Sequence, residues 1–346
     1  MTAHQQRPRV VLSHRVHPQV ITMLSERCEV VPNQYEDSLP AAELQRRTAN
    51  ADALMVFMPD RIDAEFLDAC PRLRVVAGAL KGDDNIDVEA CTARGIWMTR
   101  VEDLLTDPTA ELAVGLLIGL ARNVAPGDRR VRAGFPGWRP VLYGQSLIGA
   151  TIGIIGAGAV GRAVARLLRG FDAHLRYSDP VLVPPAVADS LGLEQVTLTE
   201  LLSTSDAVIV CAPLGPGTAH LLDRAALEST RRGALLINVG RGSVVCEDAV
   251  AELLRLRHLG GYAADVFEFE DYSRPDRPGR PHPELIGLPD KTLFTPHLGS
   301  AVDAARLAIE QRAATSILQS LAGAVPEGAA NDVSQGPFPP TAQPRQ

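Results

Sequence analysis

Hydrophobic positions along the chain switch between short solid runs and helical spacing. Solid apolar runs at 9–12, 53–57, 73–77 and 96–99 predict strands buried on both faces. Helix-like stretches at 18–27, 41–49, 64–69 and 88–93 lie between them. This alternation predicts a parallel, doubly wound α/β sheet. A second series of apolar runs follows at 152–155, 173–177, 207–211, 234–239, 263–267 and 293–295. Helical patterns occupy 163–168 and begin again near Thr199, so a second sheet of the same kind is expected.

Between the two series, 107–122 opens with Pro108 in the first turn and Glu111 soon after, both helix-start signals. This helix is apolar nearly all round and must be buried on several sides, as a linker between domains or at a dimer interface. Residues 123–148 contain Gly, Pro, Trp138 and Tyr143 without a clear period, and are expected to form an irregular arm. An amphipathic helix is expected over about 301–321, crossing back to the first sheet. Beyond about Gly328 the Pro, Gln and Ser content predicts disorder.

The second series begins with a chemical signal. The strand at 152–155 runs into Gly156-Ala157-Gly158-Ala159-Val160-Gly161, a helical pattern follows, and the strand at 173–177 ends just before Asp179-Pro180. Gly156 suits a tight turn, Gly158 admits a pyrophosphate to the backbone, and Gly161 lets helix pack on strand. The helix N-terminus offers N–H groups and a positive dipole end to phosphate. Asp179, 18 residues beyond Gly161, can accept a ribose 2′-OH and repel a 2′-phosphate, which favours NAD over NADP. A lone G-x-G-x-x-G is weak evidence; strand, turn, helix, strand and acid in register are strong. For Asp179 the alternative is a turn residue ahead of Pro180.

Composition narrows the reading. A chain of 346 residues with 46% apolar content supports two domains. Its net charge of −7 gives no nucleic-acid footprint. Five scattered cysteines without metal-ligand spacing fit reduced thiols in the cytoplasm, and no metal is expected. The N-terminus lacks an apolar signal core, and the run at 112–121 is too short for a bilayer, so no membrane partner is expected.

Three residues follow strands at one edge of the second sheet: Arg241 after 234–239, Glu270 after 263–267 and His297 after 293–295. Each alone reads as a surface cation, an acidic turn or a turn residue. Together they suit catalysis: Arg241 pairs with an anion, His297 takes a proton, and Glu270 orients the imidazole and stabilises its charged form. In the first half, Lys81 and Gly82 lie in a loop after the strand at 73–77, a place where such folds bind ligands. Lys81 is a candidate anion contact, against the commoner reading of a solvated lysine. The residues by themselves indicate an NAD-dependent dehydrogenase acting on a small anion.

The glycine loop, Asn238-Val239-Gly240-Arg241-Gly242, the Glu270 turn and Pro296-His297 resemble the D-isomer-specific 2-hydroxyacid dehydrogenases over roughly residues 8–330. The resemblance implies two Rossmann-like, doubly wound parallel-sheet domains with a cleft between them, and a homodimer. It implies a discontinuous substrate domain of 1–103 plus 298–327, an NAD domain of 104–297, and a disordered tail of 328–346. It makes Arg241, Glu270 and His297 the catalytic set. Cofactor contacts would come from Thr109, the six residues 156–161, Asp179, Pro180, Pro213, Val239, Asp265, His297 and Gly299. Within the family the chain resembles the phosphite-oxidising branch, through S-H-R-V-H (13–17), F-M-P-D-R (57–61), A-L-K-G-x-D-N (79–85), C-T-A-R-G (91–95) and D-L-L-T-x-P-T-A-E (103–111). There Lys81 would contact phosphite oxygens, where other members carry a small or apolar residue. Met58, Leu80, Gly82, Trp138, Tyr143, Ser300 and Arg306 would lie around the pocket. Asp179, Pro180, Asp83, Asp107 and Gly240 depart from that branch's pattern. Two further readings stand beside it: an ordinary D-2-hydroxyacid dehydrogenase or glyoxylate-type reductase, and an NAD(H)-sensing scaffold like the C-terminal-binding corepressors.

Overall fold

The computed structural model describes residues 7–135, 137 and 141–334. These divide into two compact units, one of residues 7–105 with 302–334 and one of 106–301.

The first unit holds five parallel strands: β1 (Arg9–Leu12), β2 (Glu29–Val31), β3 (Ala53–Val56), β4 (Val75–Gly78) and β5 (Trp97–Thr99), in the order β2-β1-β3-β4-β5. Strand order reverses between β1 and β3, so the loops after these two strands share a switch point. β2 escapes sequence detection because it is a half-exposed edge of three residues that opens on Glu29. The Asp303–Leu321 helix packs on this sheet. Ile309, Ala313, Ala314 and Ile317 share one helix face and enter the core with Val10, Leu12, Met55 and Val75.

The second unit has seven parallel strands: β6 (Thr151–Ile155), β7 (His174–Ser178), β8 (Leu193–Gln195), β9 (Ala207–Val210), β10 (Leu235–Asn238), β11 (Gly261–Ala264) and β12 (Thr292–Phe294). Their order is β12-β11-β10-β9-β6-β7-β8, with the switch point between β6 and β9. The Thr106–Ala121 helix packs one face into this unit. Ala110, Ala113, Leu116 and Leu117 join Ile152, Ile154, Ile209 and Ile237 in one core. Leu112, Val114, Ile118 and Leu120 are only half-buried within this unit.

Two expectations need correction. The stretch after Asn123 is not irregular throughout, for Val124–Arg132 is a helix. Asn123 enters it from the left-handed region, Pro126 sits early where its missing N–H costs little, and Arg129, Arg130 and Arg132 complement the C-terminal dipole. Nor does disorder begin at Gly328. The Arg100 N–H donates to the Gly328 carbonyl, Ala329 bridges Thr99, the Ala330 N–H donates to Met98 O, and Val333 is buried in the first core. Gly328 has φ 68°, and a Cβ there would fall 2.1 Å from Arg100 O, so glycine permits this close return. Residues 335–346 lie outside the described residues. Among the described residues, no helix is long and apolar enough to cross a membrane.

Candidate active site

The glycine loop connects β6 to the Ala159–Leu168 helix, and its glycines serve three different geometries. Gly156 has φ 89°, and a Cβ there would meet Ala212 N at 2.8 Å. A Cβ on Gly161 would fall 2.1 Å from Gly156 O, so helix and turn touch backbone to backbone. A Cβ on Gly158, by contrast, would meet nothing within 4 Å. The loop therefore leaves open space at the N-cap of a ten-residue helix, beside N–H groups that lack intrahelical partners. That cradle fits a dinucleotide pyrophosphate. Asp179 closes it: one carboxylate oxygen accepts the Ala157 N–H at 2.7 Å, the other the Val181 N–H at 2.7 Å. The turn role of Asp179 is thus filled at the end of β7, beside the glycine loop. Pro213 is exposed after β9 and Val239 is buried after β10, on the same sheet edge.

Arg241, Glu270 and His297 follow the neighbouring strands β10, β11 and β12. Asn238 fixes the first loop, donating from Nδ2 to Arg241 O at 3.0 Å and accepting the Gly240 N–H at 3.1 Å. Arg241 itself donates to Gly240 O at 3.0 Å and is half-buried. Gly240 is required here, since a Cβ would lie 2.4 Å from Ala212 O. His297 Nδ1 stands 2.7 Å from Glu270 Oε2. A carboxylate only accepts, so Nδ1 carries the proton of the neutral ring, and Nε2 is left for chemistry.

The loop bearing His297 is organised by Asp265. This acid is 2% exposed. Its Oδ1 accepts Thr295 Oγ1–H and the Leu298 N–H, each at 2.6 Å, and its Oδ2 accepts the Gly299 N–H at 2.8 Å. The His297 N–H donates to Asp265 O at 2.9 Å. These bonds hold His297 at φ 56°, a left-handed conformation that costs a β-carbon residue about 1–2 kcal/mol. Thr109 lies beside Gly299: a Cβ there would meet Thr109 Oγ1 at 3.1 Å and Asp265 Oδ2 at 3.2 Å. Ser300 follows, half-buried.

In the first unit the loops after β1, β3 and β4 converge. Asp60, 5% exposed, accepts the Phe57 N–H at 2.8 Å and the Ser13 hydroxyl, and its other oxygen stands 3.3 Å from His14 Nε2. Asn85 donates to Phe57 O and Met58 O at 3.2 Å and to Asp60 O at 2.6 Å. This ties the loop of Lys81 to that of Met58. Arg306 donates to Ala79 O at 3.3 Å, and its guanidinium lies 5.2 Å over the Phe57 ring. Burial lowers the Arg306 pKa from its ordinary value, with the Glu310 charge opposing. Lys81, Gly82 and Met58 are half-buried here. Asp83 pairs with Arg100 at 3.0 Å and Asp107 with Arg166 at 2.7 Å, so both extra acids are neutralised locally.

Two expected pocket residues stand apart from the others within the single chain. The Leu80 side chain is 2% exposed in the core with Leu54 and Met98, so only its backbone can serve a ligand. Tyr143 is 81% exposed, and its carbonyl accepts from Asn123 beyond the C-terminal end of the Thr106–Ala121 helix, whereas Thr109 is in that helix's first turns. Its neighbour Gln145 bonds Ala121 O and Gly233 O, the latter ahead of β10. Tyr143 thus sits toward the sheet edge opposite Arg241 and His297. Trp138 lies outside the described residues.

No sequence signal singles out Glu247 and Glu268. Glu247 is 2% exposed, and burial pushes its carboxyl up from 4.5 to about 7. Because the folded-state pKa is raised, the folded chain holds this proton more tightly than the unfolded one. Stability then falls as pH rises from about 4.5 to about 7, by on the order of 3 kcal/mol. Glu247→Gln should flatten this fall in thermal unfolding midpoints measured between pH 5 and pH 8. An unchanged profile would remove Glu247 as its source. Close by, ligand atoms of His220, Cys246 and Glu268 lie within 4.8 Å of one another. Arg274 already stands 3.0 Å from His220 Nε2, and Glu268 accepts the Glu247 N–H.

A dinucleotide cradle at the switch point and an Arg–Glu–His set on the same sheet edge define a nicotinamide-dependent dehydrogenase. Comparison with known proteins gives the family. Residues 114–299 match the model of the D-isomer specific 2-hydroxyacid dehydrogenase, NAD binding domain. The glyoxylate reductase of Thermococcus onnurineus is 35% identical over 326 residues, covering 92% of this chain and 95% of its own. That of Pyrococcus furiosus is 36% identical, covering 92% and 94%. Among solved structures, the TT0316 protein of Thermus thermophilus superposes with a TM-score of 0.83 at 35% identity, covering 93% and 100%. The chain belongs to the D-isomer-specific 2-hydroxyacid dehydrogenase family, and its cofactor is NAD.

Proposed function

We propose that this chain is a phosphite dehydrogenase, oxidising phosphite to phosphate with reduction of NAD. The observation that carries the reading is Lys81. It stands in the loop after β4 that Asn85 and Arg306 anchor, among the stretches that resemble the phosphite-oxidising branch. The resemblance implies that Lys81 and Arg241 both meet the anion, and two positive charges suit a dianion better than a singly charged carboxylate.

The glycine loop and Asp179 would hold NAD, which would supply the hydride acceptor. The P–H bond breaks with its electron pair, a water oxygen bonds to phosphorus, and one proton is released, so that phosphite, NAD and water give phosphate, NADH and a proton. His297 Nε2 takes the proton of the attacking water, and Glu270 stabilises the resulting imidazolium through Nδ1. Arg241 and Lys81 neutralise charge growing on the phosphoryl oxygens. Met58, Arg306 and Ser300 shape the substrate's surroundings. A homodimer, implied by the family resemblance, belongs to the same proposal.

Deuterated phosphite tests the chemistry. Deuterium should appear in NADH, with one phosphate formed per NADH; NADH without deuterium or phosphate would refute it. A second reading, glyoxylate or D-2-hydroxyacid reduction, is favoured by the names of the curated relatives, and it uses the same Arg241, Glu270 and His297.

The cofactor assignment makes its own prediction. Replacing Asp179 by Ala and Pro180 by Arg removes an acid and supplies a 2′-phosphate partner. The ratio of kcat/KM for NADP over NAD should rise about tenfold or more. An unchanged ratio would remove Asp179 from the ribose.

A further inference from the structure

We propose that Glu247 is a positioning residue for catalysis: with Glu268 it forms a reciprocal clasp that holds the turn of Glu270 against the loop of Arg241. Glu247 Oε1 accepts the Glu268 N–H at 3.0 Å, and Glu268 Oε1 accepts the Glu247 N–H at 2.9 Å. A third bond runs the same way, from the Ser243 N–H to Asp271 Oδ2 at 2.6 Å. Between them the backbones touch, since a Cβ on Gly242 would fall 1.8 Å from Phe267 C. Arg241 directly precedes the zipped segment on one side. On the other, Glu270 lies between Glu268 and Asp271 and carries His297 through its carboxylate.

The position of Glu247 is costly in itself. It is 2% exposed, and its Oε2 is buried with no hydrogen-bond partner among the described residues. A buried carboxyl without full pairing lowers stability. Only one of its two oxygens does visible work, and that oxygen holds the catalytic turn. His220 Nε2 lies 3.3 Å from Glu268 Oε1 and 3.0 Å from an Arg274 guanidinium nitrogen, so a cation stands on the Glu268 side of the clasp. Loosening it moves Glu270, and through Glu270 the ring of His297, relative to Arg241.

This inference rests on the roles proposed for Arg241, Glu270 and His297, and holds for phosphite or a hydroxy acid alike. The test compares Glu247→Ala, Glu247→Gln and His297→Ala as full-length enzymes, measuring kcat, KM, NADH affinity by fluorescence titration and thermal unfolding. Displacement of a catalytic group by a fraction of an ångström to an ångström predicts a fall in kcat of about 10- to 100-fold for Glu247→Ala. NADH affinity should change little, because the glycine loop is untouched. Glu247→Gln keeps an acceptor for the Glu268 N–H and should restore most of kcat. Three results would overturn the clasp: Glu247→Ala with unchanged kcat, loss of NADH affinity in parallel with kcat, or Glu247→Gln as impaired as Glu247→Ala. If His297→Ala retains activity, the catalytic assignment fails instead, and the two failures are told apart.

Discussion

Replacing His297 by alanine is expected to lower kcat roughly 10²- to 10⁴-fold, the usual contribution of a positioned general base. The effect should be large because the structure commits so much to this ring. Glu270 takes Nδ1 at 2.7 Å, which leaves Nε2 for proton transfer. Asp265 spends its backbone carbonyl and both carboxylate oxygens on the loop around His297. NADH affinity should be kept, since the cradle after β6 does not depend on the imidazole. Steady-state rates with fluorescence titration of NADH check both parts. Appreciable turnover in the variant would exclude His297 as the required base.

Lys81→Ala is expected to raise the phosphite KM about 10- to 100-fold, the loss of one charge-assisted contact. The change should fall on substrate and spare NAD, because Lys81 belongs to the first unit and the cradle to the second. Asn85 and Arg306 hold the loop from other points, so removing the lysine should leave its backbone in place. The variant should keep its thermal stability. A collapse of NAD affinity, or an unchanged phosphite KM, would show that Lys81 does not meet the anion.

The parts of the fold legible in the sequence are those where one residue's chemistry dictates local geometry. Solid apolar runs marked the central strands because both faces of a parallel sheet are covered. Gly156 and Gly161 announced the turn because each serves a backbone approach that a Cβ would block, and Gly158 because it leaves open space at the helix N-cap. β2 and β8 were invisible, being three-residue edges with little apolar surface. The Val124–Arg132 helix was hidden by Pro126 and Gly127, which read as breakers although Pro126 sits in the first turn. The return of 328–334 along β5 depends on Asn331, whose side chain bonds Met98 N, Ile96 O and Thr92 Oγ1, and no composition rule signals such a contact.

The site followed the same division. Arg241, Glu270 and His297 were readable because each directly follows a strand at one sheet edge. Their supports were not. Asp265, Glu247 and Glu268 act through backbone N–H groups brought close by tertiary packing, and their spacing along the chain carries no signature. Leu80 and Tyr143 were placed by resemblance, and packing put the first in the core and the second toward the opposite sheet edge.

The most direct measurement is NAD reduction by the purified enzyme with phosphite, set beside D-lactate and D-glycerate, and NADH oxidation with glyoxylate. The account predicts rapid NADH formation with phosphite and a kcat/KM far above that for any hydroxy or oxo acid. Efficient turnover of glyoxylate or a D-2-hydroxy acid with no reaction on phosphite would contradict it, and would leave Lys81 as a surface lysine on an ordinary member of the family.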